Sequence, residues 1–354
     1  MANLNEVTLS AVAVGGSVKE DLIDKIFDAS PIDGLMQDSI GSRSSKNNSV
    51  EWTRESLTAA NPDNARIDGS DSTGNDTVTG ERLSNYHQIL SKIVKVSDRG
   101  NDVDTVGAQK ELAKQLLKRG KEIRRDLSSA LVSENVAVAG DGASVAGKMA
   151  GLGAYAGTVK NGEATTSRGI TTGADPVLSG NPGGYPTTAA VAGVKRALSK
   201  ADVDGVISAL YNNGADSTVF RSMPVVAGAF STFLFDSTAQ VATMQKDVMG
   251  TGNLAGGETV TAQGAVNVYV SNFATLEIIP DRYMTETATG VASAFIYQPD
   301  ILEVSYLHQP TIRDLARTGL ADNKEITLDA SLVVETPECL GVIADIDTAL
   351  VATA

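Results

Sequence analysis

Cysteine and histidine are almost missing from this chain of 354 residues, which has one cysteine, Cys339, and two histidines, His87 and His308. A single thiol excludes an internal disulfide framework and a thiolate metal cluster. Two imidazoles are too few for a histidine-based metal centre or proton relay. Aromatics are scarce, and Trp52 is the sole tryptophan. No long apolar run occurs: the most apolar stretch, Met223–Phe235, is too short and too rich in small residues to span a bilayer. Positive charge is in deficit, with 29 Lys and Arg against 43 Asp and Glu and a formal net charge of −14. A protein that grips nucleic acid over its whole surface needs the opposite excess, although an acidic container could confine DNA without binding it. Residues 1–10 lack the basic start and apolar core of a signal peptide, so a soluble protein made in a reducing cytoplasm is expected.

What the sequence does contain is organised around one long helix, expected over Asp104–Glu134. At helical spacing Leu112, Leu116, Ile123, Leu127 and Leu131 form one narrow apolar stripe. Lys110, Lys114, Lys118, Lys121 and Arg125 lie opposite, with Glu111, Glu122 and Asp126 along the flank. Asp104 or Thr105 can cap the amino end, whose first N–H groups have no partner inside the helix. A helix of about 28 residues spans roughly 42 Å, longer than a compact domain usually needs. Apolar along one seam only, it reads as a beam. Three readings of the basic stripe stand side by side: a solvated face paired with Glu111 and Glu122, a contact with a neighbouring subunit, or a contact with nucleic acid.

Ahead of the helix, residues 1–16 read as an extended arm, and Ser17-Val-Lys-Glu20 is a capping box before a short amphipathic helix stopped by Pro31. Val50–Arg54 alternates as a strand and Ile89–Val96 is β-rich again, so the two are expected to pair as an arm. Between them Thr58–Gly80 is crowded with Asn, Asp, Gly, Ser and Thr, with too little apolar surface to offset the entropy of ordering. An arm of two strands with a long polar tip is marginal alone and needs support, most simply another copy of the chain. Trp52 sits on that arm, as a local core residue or as a contact to the support.

Beyond the helix, Ala137–Pro186 reads as a long irregular connection with turn chemistry at Asn181–Gly184. Ser199–Asp202 starts a helix through Val206, Ile207 and Leu210 that stops at Asn213-Gly214. Met223–Phe235 mixes helix and strand signals. The last third is β-rich: Leu302, Val304 and Tyr306 alternate with Glu303 and Ser305, and Ile326 through Val334 alternate over nine residues. These are expected to be half-buried strands. The fold class is α+β.

The chemical motifs mostly fail. Gly142–Met149 copies the phosphate-loop spacing, but Met149 stands where a hydroxyl should hold the metal. Asp68–Asp76 lacks the oxygen spacing and closing glutamate of a calcium loop. Asn47-Asn-Ser49 and Asn75-Asp-Thr77 match a glycosylation pattern that is idle without secretion. Gly142–Ala146 misses the last glycine of a nucleophile elbow. No nucleophile, base and orienting acid come together, so no catalytic residues, cofactor or metal are expected.

Arg82-Leu-Ser-Asn85-Tyr-His-Gln88-Ile with Val96-Ser97, then Glu111 through Asp126, form two of four recognisable stretches. The others are Ala274-Thr-Leu-Glu-Ile-Ile-Pro280-Asp-Arg282-Tyr-Met284, and Val304-Ser-Tyr-Leu307 leading to Leu315-Ala-Arg-Thr-Gly319 and Lys324. In this order they resemble one branch of the tailed-phage major capsid proteins, first catalogued as a domain of unknown function. The resemblance runs from about residue 15 to 345. It implies the HK97-like fold, first described for phage Hong Kong 97, and an icosahedral shell of hexamers and pentamers. On that model residues 1–45 are the N-terminal arm and 46–97 an extended loop lying over the neighbouring subunit. Residues 98–186 and 286–354 form the peripheral domain, and 187–285 the axial domain. Subunit contacts are expected at Trp52, Arg54, Lys110, Lys114, Lys118, Lys121, Arg125, Arg282, Arg313 and Arg317. The implied partners are identical subunits, a separate scaffolding protein, a portal protein, a decoration protein and weakly contacted double-stranded DNA, with no membrane. An encapsulin-like compartment shares the fold and is the alternative, with a phosphate-loop nucleotide-binding enzyme further off.

Overall fold

The computed structural model describes residues 34–58, 60–71, 77, 79–103, 110–158, 165–167, 173–180, 183–228, 268–317 and 319–351. The expected capping box at Ser17–Glu20, the helix after it, the caps at Asp104 and Thr105, and Met223–Phe235 beyond residue 228 lie outside the described residues. Residues 224–228 are helical.

The chain runs through β1 (Gly41–Ser44), β2 (Ser49–Arg54), β3 (Glu81–Tyr86) and β4 (Gln88–Ser97), then α1 (Asp98–Asp102), α2 (Glu111–Leu131) and α3 (Leu152–Tyr155). Short strands β5 (Thr166–Ser167), β6 (Val177–Leu178) and β7 (Pro186–Thr188) precede α4 (Lys200–Asn212). Strands β8 (Val219–Ser222), β9 (Val268–Val270), β10 (Thr275–Pro280), β11 (Val291–Tyr297), β12 (Leu302–Asp314), β13 (Ala321–Val334) and β14 (Gly341–Asp347) complete the fold. One sheet has the order β1-β12-β13-β4, a second β5-β14-β11-β8-β10-β9, and β2 pairs with β3 alone.

The long helix is shorter than its periodicity suggests, 21 residues from Glu111. Lys110 is extended (φ −139°) and offers no side-chain cap, while Ser97 caps the separate helix α1 by accepting from Gly100 N. At the other end Ser133 Oγ donates to the Ala130 carbonyl at 2.7 Å, taking up an acceptor that another turn would need. The apolar stripe is where expected: Ile123, Leu127 and Leu131 are buried, and Leu116 packs against the same core. Each such side chain contributes about 1.5–3 kcal/mol on burial.

The expected pairing of Val50–Arg54 with Ile89–Val96 is wrong. Strand β2 pairs with β3, Trp52 opposite Leu83, whereas β4 pairs along its whole length with β13, from Gln88 opposite Ala330 to Ser97 opposite Ala321. Ten residues of β4 gain a full ladder there and lay Leu90 and Val94 on the inward face, more than a two-stranded arm offers. The alternation of β12 and β13 is as expected, with Leu302 opposite Val334 and Val304 opposite Leu332. Half-burial fails at Ser305 of β12 and near the end of β13, where Asp329, Ser331 and Val333 are buried too. There the β3 end of the hairpin closes over the strand, Ser331 Oγ donating to the Tyr86 carbonyl and Asn85 Nδ2 to the Leu332 carbonyl.

The six-stranded sheet is covered on both faces. Phe295, Tyr297, Val342 and Ala344 join α2 in one core; Ala292, Ala294, Ile296, Ile343 and Ile346 join α4 in a second. A central strand buried twice reads as near-continuous apolar sequence, as Val291–Tyr297 does with Ser293 its one polar residue. Helix α4 is as expected, its cap Ser199 accepting from Asp202 N and its stop at Asn213 followed by Gly214 at φ 87°. Because β11 and β14 share this sheet with β8 and β10, it crosses the expected boundary at residue 285.

Gly34–Ser39 joins β8 of the six-stranded sheet to the long helix. Arg221, fully buried on β8, donates to Asp281 at 2.6 Å and to the Tyr297 hydroxyl at 2.9 Å. Its guanidinium also reaches the Gly34 carbonyl and Ser39 Oγ, each at 3.3 Å. On the other side Met36 N donates to Ser128 Oγ on α2, and Arg124 pairs with Asp38 at 2.7 Å.

Candidate functional site

The surface that stands out is the hairpin, because its two halves are built so differently. Its root is moored to the body. Leu83 is fully buried. Trp52 is half-buried against the main core, its ring 6.1 Å from that of Tyr155. The Tyr155 hydroxyl donates to the Ser84 carbonyl at 2.9 Å, and burial pushes that phenol well above its ordinary range. Asn85 bridges Ala150 and Leu332. Arg54, 8% exposed, pairs with Glu81 and, at 2.6 Å, with the 7% exposed Glu338.

The tip differs in every respect. All described residues from 55 to 80 are exposed, and none lies in a helix or strand. Its backbone bonds close local turns, such as Ser70 N to the Ile67 carbonyl. Leu57 and Ile67 are 94% and 82% exposed. Exposed at the end of a firmly rooted strand pair, these two side chains make the tip the candidate contact surface.

The remaining residues expected at contacts do not gather into one site. Lys114 pairs with Glu111 at 3.2 Å and, on the flank, Arg119 pairs with Glu122, so part of the basic stripe is paired locally. Lys110, Lys118 and Lys121 are exposed. Arg125 stacks over Tyr283, 5.6 Å from the ring centre. Arg317 bridges Asp98 and Asp322, and Lys324 pairs with Asp314 beside it. Arg313 is exposed on β12 opposite Glu325, and Arg282 is exposed after β10. Arg54 is turned inward as an anchor of the hairpin. The buried pair of Arg221 and Asp281 was not foreseen; a lone arginine in the apolar surroundings of Val219 and Phe220 was its only sequence signal.

The phosphate-loop spacing has a different cause. Val138 and Lys148 bond each other in both directions and close a loop, so Lys148 lies in a β-bridge and not at the start of a helix. Gly142 is there for its φ of 72°, and Gly147 because a Cβ would come 3.3 Å from the His87 carbonyl. The Asp141 carboxylate takes the N–H groups of Ala143, Ser144 and Val145 and the Ser144 hydroxyl. Those donors, the Val145 and Ala143 amides foremost, hold its carboxyl well below the usual range. A phosphate would find the nest filled. Burial pushes the Cys339 thiol up, away from reactivity. Among the described residues no group of three His, Cys, Asp or Glu could hold a metal, and no helix is long and apolar enough to cross a membrane.

Comparison with known proteins places this architecture. The chain is 36% identical over 104 residues to the major capsid protein of Escherichia phage Phieco32, a match spanning 29% of this chain and 30% of that relative's length. Solved structures share the fold over nearly the whole chain. The capsid of cyanophage P-SCSP1u has a TM-score of 0.55 at 11% identity, covering 98% of this chain and 99% of that one. An SrpI encapsulin from Synechococcus elongatus has a TM-score of 0.51 at 10% identity, covering 98% and 97%. These neighbours establish the α+β fold as HK97-like. A sequence model of the SU10 major capsid protein matches residues 3–347, and the chain belongs to that family of phage shell proteins.

Proposed function

We propose that this chain is the repeating subunit of a tailed-phage head, assembling as hexamers and pentamers into an icosahedral shell around double-stranded DNA. The observation that supports the reading is the hairpin: its root is folded by the chain itself, and its tip leaves Leu57 and Ile67 exposed to solvent. The natural cover is the body of the adjacent subunit, since a closed shell offers each tip an identical receiving surface. Of the ten residues expected at those contacts, Lys110, Lys118, Lys121, Arg282, Arg313 and Arg317 are exposed and serve them directly, with Trp52 and Arg54 holding the tip in position from below. The net charge of −14 suits a container whose wall repels packaged DNA and lets it move, with basic groups touching it locally. A scaffolding protein, a portal, a decoration protein and assembly in the host cytoplasm complete this reading. No catalytic step is assigned.

Electron microscopy of the protein expressed alone and together with the other head genes tests the reading. Closed shells with fivefold and sixfold capsomers are expected. A stable monomer in both preparations, at concentrations where neighbours should meet, would overturn it. Shells recovered with a cargo enzyme in place of DNA and a portal would instead favour an encapsulin-like compartment.

A further inference from the structure

The outward face of α2 has a large apolar side chain in the middle of its basic stripe. Leu117 is 74% exposed. At helical spacing it lines up with Ala113 one turn before it and with Lys121 and Arg124 one and two turns after it. Lys114 and Lys118 flank it, and Lys110 stands at the head of the helix. Ala113 is also part of the wall of a cavity of about 570 Å³ between the start of α2 and the end of the β12–β13 pair. Leu112, Leu116 and Leu315 complete the apolar part of that wall, and Lys110 stands beside them. The two carboxylates there are already matched, Asp314 by Lys324 and Asp322 by Arg317.

The far end of the same face shows what kind of chain it accepts. Asp38 pairs there with Arg124 at 2.7 Å, and the Gln37 side-chain amide donates to the Arg124 carbonyl at 3.0 Å. A short acidic segment thus already lies across the helix. Nearer the amino end the flanking carboxylates Glu111 and Glu122 are taken up by Lys114 and Arg119, and Lys110, Leu117, Lys118 and Lys121 are exposed. The hairpin tip has the opposite chemistry. Glu55, Asp63, Asp68 and Asp71 stand exposed against one basic residue, Arg66, and Leu57 and Ile67 stand exposed among them. An acidic span with two aliphatic side chains complements a basic stripe with an aliphatic centre. The outer side of the four-stranded sheet also exposes aliphatic residues, Ile89 and Ile93. It balances Lys95 and Arg313 against Glu325 and Asp329, however, and offers an acidic tip no such match.

We propose that the stretch of α2 from Lys110 to Lys121 receives the hairpin tip of a second copy of the chain. Leu57 and Ile67 of that copy cover Leu117 and the cavity beside Ala113, and its tip carboxylates lie among Lys110, Lys118 and Lys121. The proposal rests on the reading of the chain as a shell subunit and adds to it which surface of the neighbour the tip meets.

Shells grown from a mixture of normal and heavy-isotope chains separate contacts between copies from contacts within one. Treatment with a carbodiimide joins a carboxylate to an amine in contact as an amide, and the reagent takes up the water that is lost. Peptide pairs of mixed isotope linking Asp63, Asp68 or Asp71 to Lys118 or Lys121 are expected, and this readout needs no folded variant. Shells in which the tip links to Lys95 of the sheet face instead, or in which no tip carboxylate links to α2 of another copy, overturn the proposal and leave the subunit reading standing. A chain that forms no shells overturns both. Leu117→Asp should lower the yield of closed shells at least about tenfold, while the urea midpoint of the unassembled subunit stays where it is, because that side chain is already in solvent. An unchanged yield would also overturn the proposal.

Discussion

Root and tip of the hairpin are one continuous piece of chain, yet they follow opposite rules. The root spends its polar groups inward: Arg54 on Glu338, Asn85 on Ala150 and Leu332. The tip spends its apolar groups outward, at Leu57 and Ile67. A protein that functioned as a monomer would gain from the reverse arrangement. The difference teaches that the hairpin is folded onto its own body at residues 49–54 and 81–86, while the described residues between stay in solvent.

Unfolding of the unassembled subunit is where that contrast breaks or holds. The largest loss is expected for Arg54→Ala, which strands the Glu338 carboxylate in a site 7% exposed. Removing one partner of such a buried pair costs about 3–5 kcal/mol, readable as a lower urea midpoint. Leu83→Ala leaves a cavity in the main core and should cost about 2–5 kcal/mol by the same measurement. At the tip, Leu57→Ser and Ile67→Ser should each stay within about 0.5 kcal/mol of the parent, while the yield of closed shells, counted by microscopy, falls sharply. If the tip substitutions destabilise the subunit as much as Leu83→Ala does, the tip is folded on its own body and the contrast is gone.

The loop 140–147 sharpens the comparison, because it is exposed like the tip but orders itself around Asp141. Its carboxyl titrates below the ordinary range in the folded chain, so the stabilisation is complete above the unfolded value of about 3.9 and is lost as pH falls through the lower, folded one. The midpoint difference between the parent and Asp141→Ala should therefore be flat from neutral pH down to about 4 and narrow below it. A difference that grew on acidification would contradict the geometry.

What could be read from the sequence follows the range of the interaction. The apolar stripe of α2, the cap and stop of α4 and the alternation of β12 and β13 all depend on residues a few positions apart, and periodicity reports them directly. The ends of α2 were misread because the extended backbone of Lys110 and the local bond of Ser133 interrupt a pattern that runs on. The pairing of β2 was misread because Glu81–Tyr86, its true partner, has no β-rich pattern of its own, whereas Ile89–Val96 has, and only the distant β13 claims β4. Arg54 meets Glu338 across 284 positions and Arg221 meets Asp281 across 60; nothing local announces either. Of the contact surface, the polar, core-poor tip was legible from composition. The basic stripe was legible as a stripe, but its partition into locally paired Lys114, stacked Arg125 and exposed Lys118 depends on neighbours the periodicity does not contain.

The buried guanidinium of Arg221 has a mechanical consequence. Through Gly34 and Ser39 it is tied to the same six residues that Ser128 and Arg124 hold from the long helix. Any sliding of that helix against the six-stranded sheet must strain this one knot, so motion inside the subunit and motion of the chain entering it are geared together. The segment Gly34–Ser39 is thus the point where a shift of the long helix is felt by the sheet, without either core coming apart.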